Sequence, residues 1–189
     1  MIGRHNVAAL TVLDANLDQV GRLAIPALPG GPGDLATTAT AIVVAPYGSG
    51  ALAVLDRSGG LVALGPDEVV RLTSDGSKVM AAGGAGVSVI GPTGSVSATA
   101  IRMGADLVAS RGNVIAVYLQ ALSSIDLLAG DGSMVASTVL SSSTVVVTNP
   151  IGGTTTGSEV EQLGALALDG SGHVWAATTS HPALVEVRF

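Results

Sequence analysis

The chain has 189 residues, enough for one well-buried core and too few for two comfortable domains, so a single domain over residues 1–189 is expected. Apolar residues make up 48% and aromatic residues only 2%, so Val, Ala, Leu and Ile must fill the core; with 12% charged residues, the surface must be largely Ser, Thr and Gly. A net charge of -6 with eight scattered Lys and Arg offers no footprint for a nucleic-acid backbone, and a chain without cysteine has neither disulfides nor a thiol nucleophile.

Mean hydropathy is +0.59. The long charge-free stretches, Leu35 to Leu55 and Gly132 to Ser158, are nonetheless broken by Pro, Gly, Ser and Thr, so no membrane span is expected. MIGRHNVAALTVLDANLD meets polar and then acidic residues before a signal-peptide core is complete. The expectation is a cytoplasmic protein by default, or an extracellular one if the chain is a processed portion of a longer protein.

The first strands are expected near Val7 to Asp14 and Val20 to Ala27. Between them, Asp14-Ala15-Asn16-Leu17-Asp18 has the D-x-N-x-D spacing that gathers three oxygen ligands around calcium. Gln19 stands where a calcium loop needs Gly, and Ile25 where it needs Glu, so a polar hairpin turn is the preferred reading. Asp14, Asn16 and Asp18 remain the candidates for a metal. No cofactor is expected, with calcium or another divalent ion as the alternative.

Further along, Gly-containing turns recur at Arg57-Ser58-Gly59, Asp75-Gly76-Ser77, Thr93-Gly94-Ser95, Arg111-Gly112-Asn113, Asp131-Gly132-Ser133, Ile151-Gly152-Gly153 and Asp169-Gly170-Ser171. From Gly76 the spacings of the turn glycines are 18, 18, 20, 20 and 18 residues. Midway lie further breakers: Gly48-Ser49-Gly50, Gly65-Pro66-Asp67, Gly83-Gly84, Gly104, Ser123-Ser124, Ser141 to Ser143 and His181-Pro182. A turn every nine or ten residues, roughly, is an all-β rhythm with no room for ordinary helices. Ser95 to Ala100 and Val185 to Phe189 alternate polar with apolar, as strands with one wet face do. Asn113 to Leu119, NVIAVYL, is almost wholly apolar and is expected to be covered on both faces.

Four such strands with their turns take about 38 residues, the size of a propeller blade, and Val69 to Ile101 and Asp106 to Val139 are the clearest units. These units resemble the β-propeller superfamily. The last segment, LALDGSGHVWAATTSHPALVEV, resembles the strand, Asp-Gly turn, strand repeat of gluconolactonase-like and virginiamycin B lyase-like propellers. At about 38 residues per blade the chain holds about five four-stranded blades, fewer than is common in those families, and closing the ring would require the first strands to pair with Ala183 to Phe189, which would hide its edges. An incomplete propeller finished by a second copy or a further segment would make a homo-oligomer. A β-helix with coils near 19 residues is the alternative fold, although Asp-Gly hairpin turns favour antiparallel strands.

Asp75, Asp131 and Asp169 each precede a turn Gly, which suits an Asp that bonds its own backbone. In the lyase family that the last segment resembles, a histidine and a glutamate act with a metal, but no motif here matches theirs. His5, His173 and His181 are the histidines, with Trp175 near the last two and Glu159 and Glu186 as the nearest carboxylates by sequence. In gluconolactonase-like enzymes, acidic and amide side chains on inner strands hold the metal. The corresponding stretches here, VVRLTSD, DLVASRG and GALALD, offer Asp75, Asp106 and Asp169. The catalytic candidates are therefore His173, Asp169 and Asp106.

Ser141 to Gln162 breaks the rhythm and reads as a longer connection or as a binding loop with Thr154, Thr155, Thr156 and Glu159 at its tips; His181 completes the binding candidates. The glycines sit in hairpin turns and not before helices, so they do not mark a phosphate site. The expected function is a non-catalytic interaction module that binds a protein or glycan through end loops. One alternative is a small metal-assisted lyase or lactonase with its site at the channel mouth. The other is a structural or assembly subunit that self-associates through strand edges.

Overall fold

Almost every predicted turn closes an antiparallel hairpin. The computed structural model describes residues 9–91, 93–100, 104–140, 142–148, 154–160, 162–179 and 183–189. Strands β1 (Ala9–Leu13) and β2 (Gln19–Ala24) form a hairpin. The first four-stranded sheet contains β3 (Pro32–Thr37), β4 (Ala41–Pro46), β5 (Ala51–Asp56) and β6 (Leu61–Asp67). The second contains β7 (Val69–Ser74), β8 (Val79–Gly83), β9 (Gly86–Ile90) and β10 (Val96–Ala100). The third contains β11 (Ala105–Arg111), β12 (Val114–Leu119), β13 (Ser124–Ala129) and β14 (Met134–Val139). A second hairpin, β15 (Ser142–Thr148) and β16 (Thr154–Val160), precedes a three-stranded sheet of β17 (Leu163–Leu168), β18 (Val174–Thr178) and β19 (Leu184–Val187).

Within each sheet, sequential strands pair antiparallel, which excludes the β-helix alternative, whose coils would pair in parallel. The sheets are propeller blades stacked face to face. Val43, Leu52 and Val54 of the first blade meet Val69, Val79 and Ile90 of the second. Met80 and Val87 of the second meet Ile115, Val117 and Leu128 of the third. Leu107, Tyr118 and Ile125 of the third meet Val174 and Ala176 of the last. At the other end of the row, Leu10 and Ile25 cover Ile42, Val44 and Leu55.

Central strands therefore serve two cores. In β12, Ile115 and Val117 face backward while Ala116 and Tyr118 face forward, and all four are buried, as the apolar run NVIAVYL predicts. Full burial of such side chains contributes about 1.5–3 kcal/mol each, so small residues suffice where both faces are covered.

The first strand of each blade is innermost: β3 lies beside β7, β7 beside β11, and β11 beside β17. Each carries a register shift at its second residue, at Gly33, Val70, Asp106 and Gly164. This repeated bulge raises the local twist where the blades converge. Because β11 neighbours β17, the β15–β16 hairpin is an excursion from the ring and not an intervening blade.

Three details differ from the sequence expectations. The ladder of five four-stranded blades resolves, among the described residues, into three such blades, one three-stranded blade and two hairpins. Among the described residues the expected pairing of the first strands with the last is not made: β1 pairs with β2, and β19 with β18. Gly65-Pro66-Asp67, read as a breaker, lies inside β6, an outer strand whose free edge tolerates a proline without a donor.

Candidate functional site

Strand direction gives the ring two unlike ends. At one end lie the turns after the first and third strands of each blade, including those of Asp56, Asp75, Asp131 and Asp169; this is the hairpin end. Arg57 ties two of these turns together, donating to the carbonyls of Thr38 at 2.6 Å and Ala39 at 3.2 Å. At the opposite, loop end lie the β4–β5, β8–β9 and β12–β13 loops and the connections between blades.

The acidic turns of the hairpin end are self-contained. Asp56 Oδ1 accepts from the Ser58 amide at 2.8 Å, the Ser58 hydroxyl at 2.6 Å and the Gly60 amide at 2.9 Å. Asp131 likewise accepts from the Ser133 amide at 2.9 Å and hydroxyl at 2.7 Å. The serine hydroxyl bond is the main reason that both carboxyls titrate below the usual range. For Asp75, partial burial pushes upward, but the bonds from Ser77 and Lys78 outweigh it and the net shift is downward. These aspartates hold turns, as the place of Asp75 and Asp131 before glycine predicts; Asp56, followed by Arg57, does the same without that signal.

Asp169 goes further. Its Oδ1 accepts from the Ser171 amide at 2.8 Å and the His173 amide at 3.0 Å, and its Oδ2 from the Trp175 indole N–H at 3.1 Å. That indole bond is the main cause of a pKa lowered to about 2. His173 Nδ1 lies 3.3 Å from Asp169 Oδ2 and 4.0 Å from Glu186 Oε1. The structure thus gathers Asp169, His173, Trp175 and Glu186 on the last blade. Asp106 is elsewhere: it sits at the bulge of β11 on the loop end, where its Oδ2 accepts from the Gln120 amide at 2.9 Å. A strand length, roughly 20 Å, separates it from the Asp169 turn. The three catalytic candidates do not converge, because Asp106 opens one inner strand and Asp169 follows the end of the next.

The D-x-N-x-D stretch forms the β1–β2 turn. Asp14 Oδ1 accepts the amides of Asn16 at 2.8 Å and Asp18 at 3.0 Å, so the motif folds its own turn. Among the described residues no three carboxylate or histidine side chains are placed to share a metal ion. Thr154, Thr155, Thr156 and Glu159 are not loop tips: they lie in β16, opposite Thr148, Val147, Val146 and Ser143. His5 and His181 lie outside the described residues.

The site that the sequence did not disclose is a cleft of about 220 Å³ at the loop end, between the first two blades. Asp34, Tyr47, Val69, Val70 and Arg71 line it. Tyr47 begins the β4–β5 loop and is 67% exposed; its backbone N–H donates to Gly31 O at 2.7 Å. A side chain at Gly30 would collide with the Tyr47 carbonyl, so the Pro29-Gly30-Gly31-Pro32 run is shaped to carry the tyrosine. Asp34 fixes the base of the cleft: Oδ1 accepts the Leu35 amide at 2.8 Å, and Oδ2 reaches across to the Leu72 amide of β7, also at 2.8 Å. The signal for this site was faint: one of two tyrosines, set between Pro46 and a Gly-Ser-Gly.

This stack of antiparallel meanders around converging first strands is a β-propeller. No protein-family model matches the sequence, and no curated protein matches it. Among solved structures the chain is similar to three propellers. Hsv2 from Kluyveromyces marxianus has a TM-score of 0.64 at 11% identity, over 96% of this chain and 53% of that one. BamB from Moraxella catarrhalis has a TM-score of 0.57 at 14% identity, over 90% and 50%. A streptogramin B lyase has a TM-score of 0.53 at 14% identity, over 87% and 57%. The chain spans about half the length of the structures it matches. At these identities the likeness is one of fold.

Proposed function

We propose that this protein is a non-catalytic interaction module that holds a segment of a partner protein in the loop-end cleft. The observation that carries this reading is the exposed Tyr47 beside Arg71 above the apolar floor of Val69 and Val70. Tyrosine and arginine dominate binding energetics because each gives a large contact area with a directional polar group. Asp34 already accepts two backbone amides and Arg71 Nη1 donates to the Val70 carbonyl at 3.0 Å, so the cleft offers a positioned guanidinium and an aromatic face. A segment with an acidic group next to an apolar side chain is the complement. The lyase or lactonase alternative, with Asp106, Asp169 or His173, has Asp169 and His173 together on the last blade and Asp106 at the opposite end.

The test is peptide display against the full chain, with a glycan panel in parallel, followed by calorimetry on Tyr47→Ala and Arg71→Ala. Selected peptides are expected to pair an acidic with an apolar residue. Each variant is expected to weaken binding at least tenfold, or about 1.4 kcal/mol, with an unchanged circular dichroism spectrum. Glycan binding lost in the same variants would move the partner class from protein to sugar. Binding indifferent to both substitutions, or no binding in either format, would overturn the proposal.

A further inference from the structure

The two ends of the blade row carry complementary uncovered faces. On the last blade, cross-strand pairing places Ala167 opposite Trp175 and Trp175 opposite Glu186, while Ala165 stands opposite Ala177 and Ala177 opposite Leu184. These residues share the face turned away from the third blade, since Val174, Ala176 and Val187 occupy the packed one. The open face is apolar for a surface: Ala165 and Ala167 are exposed, and Leu184 is 69% exposed. Its outer strand carries Glu186, to which Arg188 of the same face donates at 3.4 Å, and Asp169 lies beside Trp175, so two carboxylates face one guanidinium there.

At the other end, the β1–β2 hairpin uses Leu10 and Leu23 against the first blade. Its opposite face presents Thr11 paired with Arg22 and Ala9 paired with Ala24, with Arg22 and Ala24 exposed. Arg22 lies close to the hairpin end, because Ala24 reaches the β5–β6 turn at Gly59. Glu186, one residue before the end of β19, also lies near the hairpin end. One open face is small and cationic, the other aromatic, apolar and anionic.

We infer that these faces join two copies of the chain, each last blade packing on the partner's β1–β2 hairpin with Arg22 against Glu186. Three observations choose a second copy as the occupant. The contact repeats the face-to-face stacking already used between successive blades. The opposite charges fall at matching heights. Among the described residues no further blade covers either face at the two ends of the row. The contact is heterologous, yet used twice about a two-fold axis it closes, and neither open face remains.

A chain without cysteine makes the test direct. Light scattering of the full chain is expected to give twice 18.4 kDa. Arg22→Cys and Glu186→Cys proteins, mixed and oxidised, are expected to form a disulfide heterodimer that neither yields alone. Arg22→Glu or Glu186→Arg is expected to weaken the dimer at least tenfold, and the two charge reversals together to restore it. A monomeric mass at micromolar concentration would overturn the inference. So would a dimer that ignores both reversals, or a double-cysteine chain that bridges only within itself. Peptide binding at Tyr47 and Arg71 reports on the other end of the ring, so failure of one proposal leaves the other testable.

Discussion

Asp34 joins fold to site, and replacing it separates the two contributions. Its carboxylate accepts one amide within β3 and one from β7, each at 2.8 Å, in a half-buried position. Asp34→Ala leaves both N–H groups without their acceptor. A buried donor without a partner costs about 1–3 kcal/mol; with water able to reach this end of the blade, the lower part of that range applies, giving about 2 kcal/mol for the pair. For a chain of this size that is about 4–8 °C in Tm. Asp34→Asn keeps one acceptor oxygen and is expected to lose about half as much. Urea unfolding gives the energies, and hydrogen exchange at the Leu72 amide locates them. An alanine variant within about 0.5 kcal/mol of wild type, or unchanged protection at Leu72, would refute the argument that this carboxylate ties the first two blades.

Three further outcomes are expected. The Tyr118 hydroxyl is buried with only the Leu163 backbone amide beside it, outside good hydrogen-bond geometry, and burial outweighs that amide and pushes its pKa up, so Tyr118→Phe should leave stability unchanged or raise it by up to about 1 kcal/mol; a clear loss would show that the amide bond is made. The Asp169 carboxyl titrates near 2, below its unfolded value, so its stabilising contribution is complete above about pH 4 and is lost as pH falls toward 2. In Trp175→Phe, an NMR titration should find that carboxyl closer to the usual range, and an unchanged value would remove the indole as the cause. Leu52→Ala and Leu55→Ala, on opposite faces of β5, should each cost about 2–5 kcal/mol by unfolding; a cheap Leu55→Ala would mean that the β1–β2 hairpin does not cover that face.

The sequence made the strands legible because their turns use residues with few alternatives. Asp75, Asp131 and Asp169 bond backbone amides two to four residues ahead, a local event that an Asp before a Gly declares. The apolar run of β12 declared its two-sided burial in the same way. The bulges at Gly33, Val70, Asp106 and Gly164 were not legible, since a register shift depends on the neighbouring strand. Nor was the cleft: Asp34 and Leu72 are 38 residues apart, and their contact follows from how inner strands meet. The Ser141 to Gln162 stretch misled because its polarity suggested a loop, whereas β15 and β16 pair over seven residues each. Ser and Thr suit a strand when the backbone ladder supplies the order.

The difference between the two ends of the ring is itself an argument for where recognition occurs. At the hairpin end, the acidic groups are committed to their own turns, and regular Gly turns leave little to vary. At the loop end stand two of the three non-glycine residues with left-handed backbone among the described ones, Glu68 at φ 58° and Ser123 at 49°. Each such residue costs about 1 kcal/mol that a glycine would avoid. Glu68 stands next to Val69 of the Tyr47 cleft. A fold that places glycine in its turns elsewhere, yet keeps a glutamate in this conformation beside Val69 and Arg71, spends stability on the shape of that surface. Strain of this kind collects where a rigid scaffold presents a binding site. Glu68→Gly should therefore preserve or raise Tm while weakening the peptide binding measured with Tyr47 and Arg71; full binding in that variant would assign the strain to the turn alone.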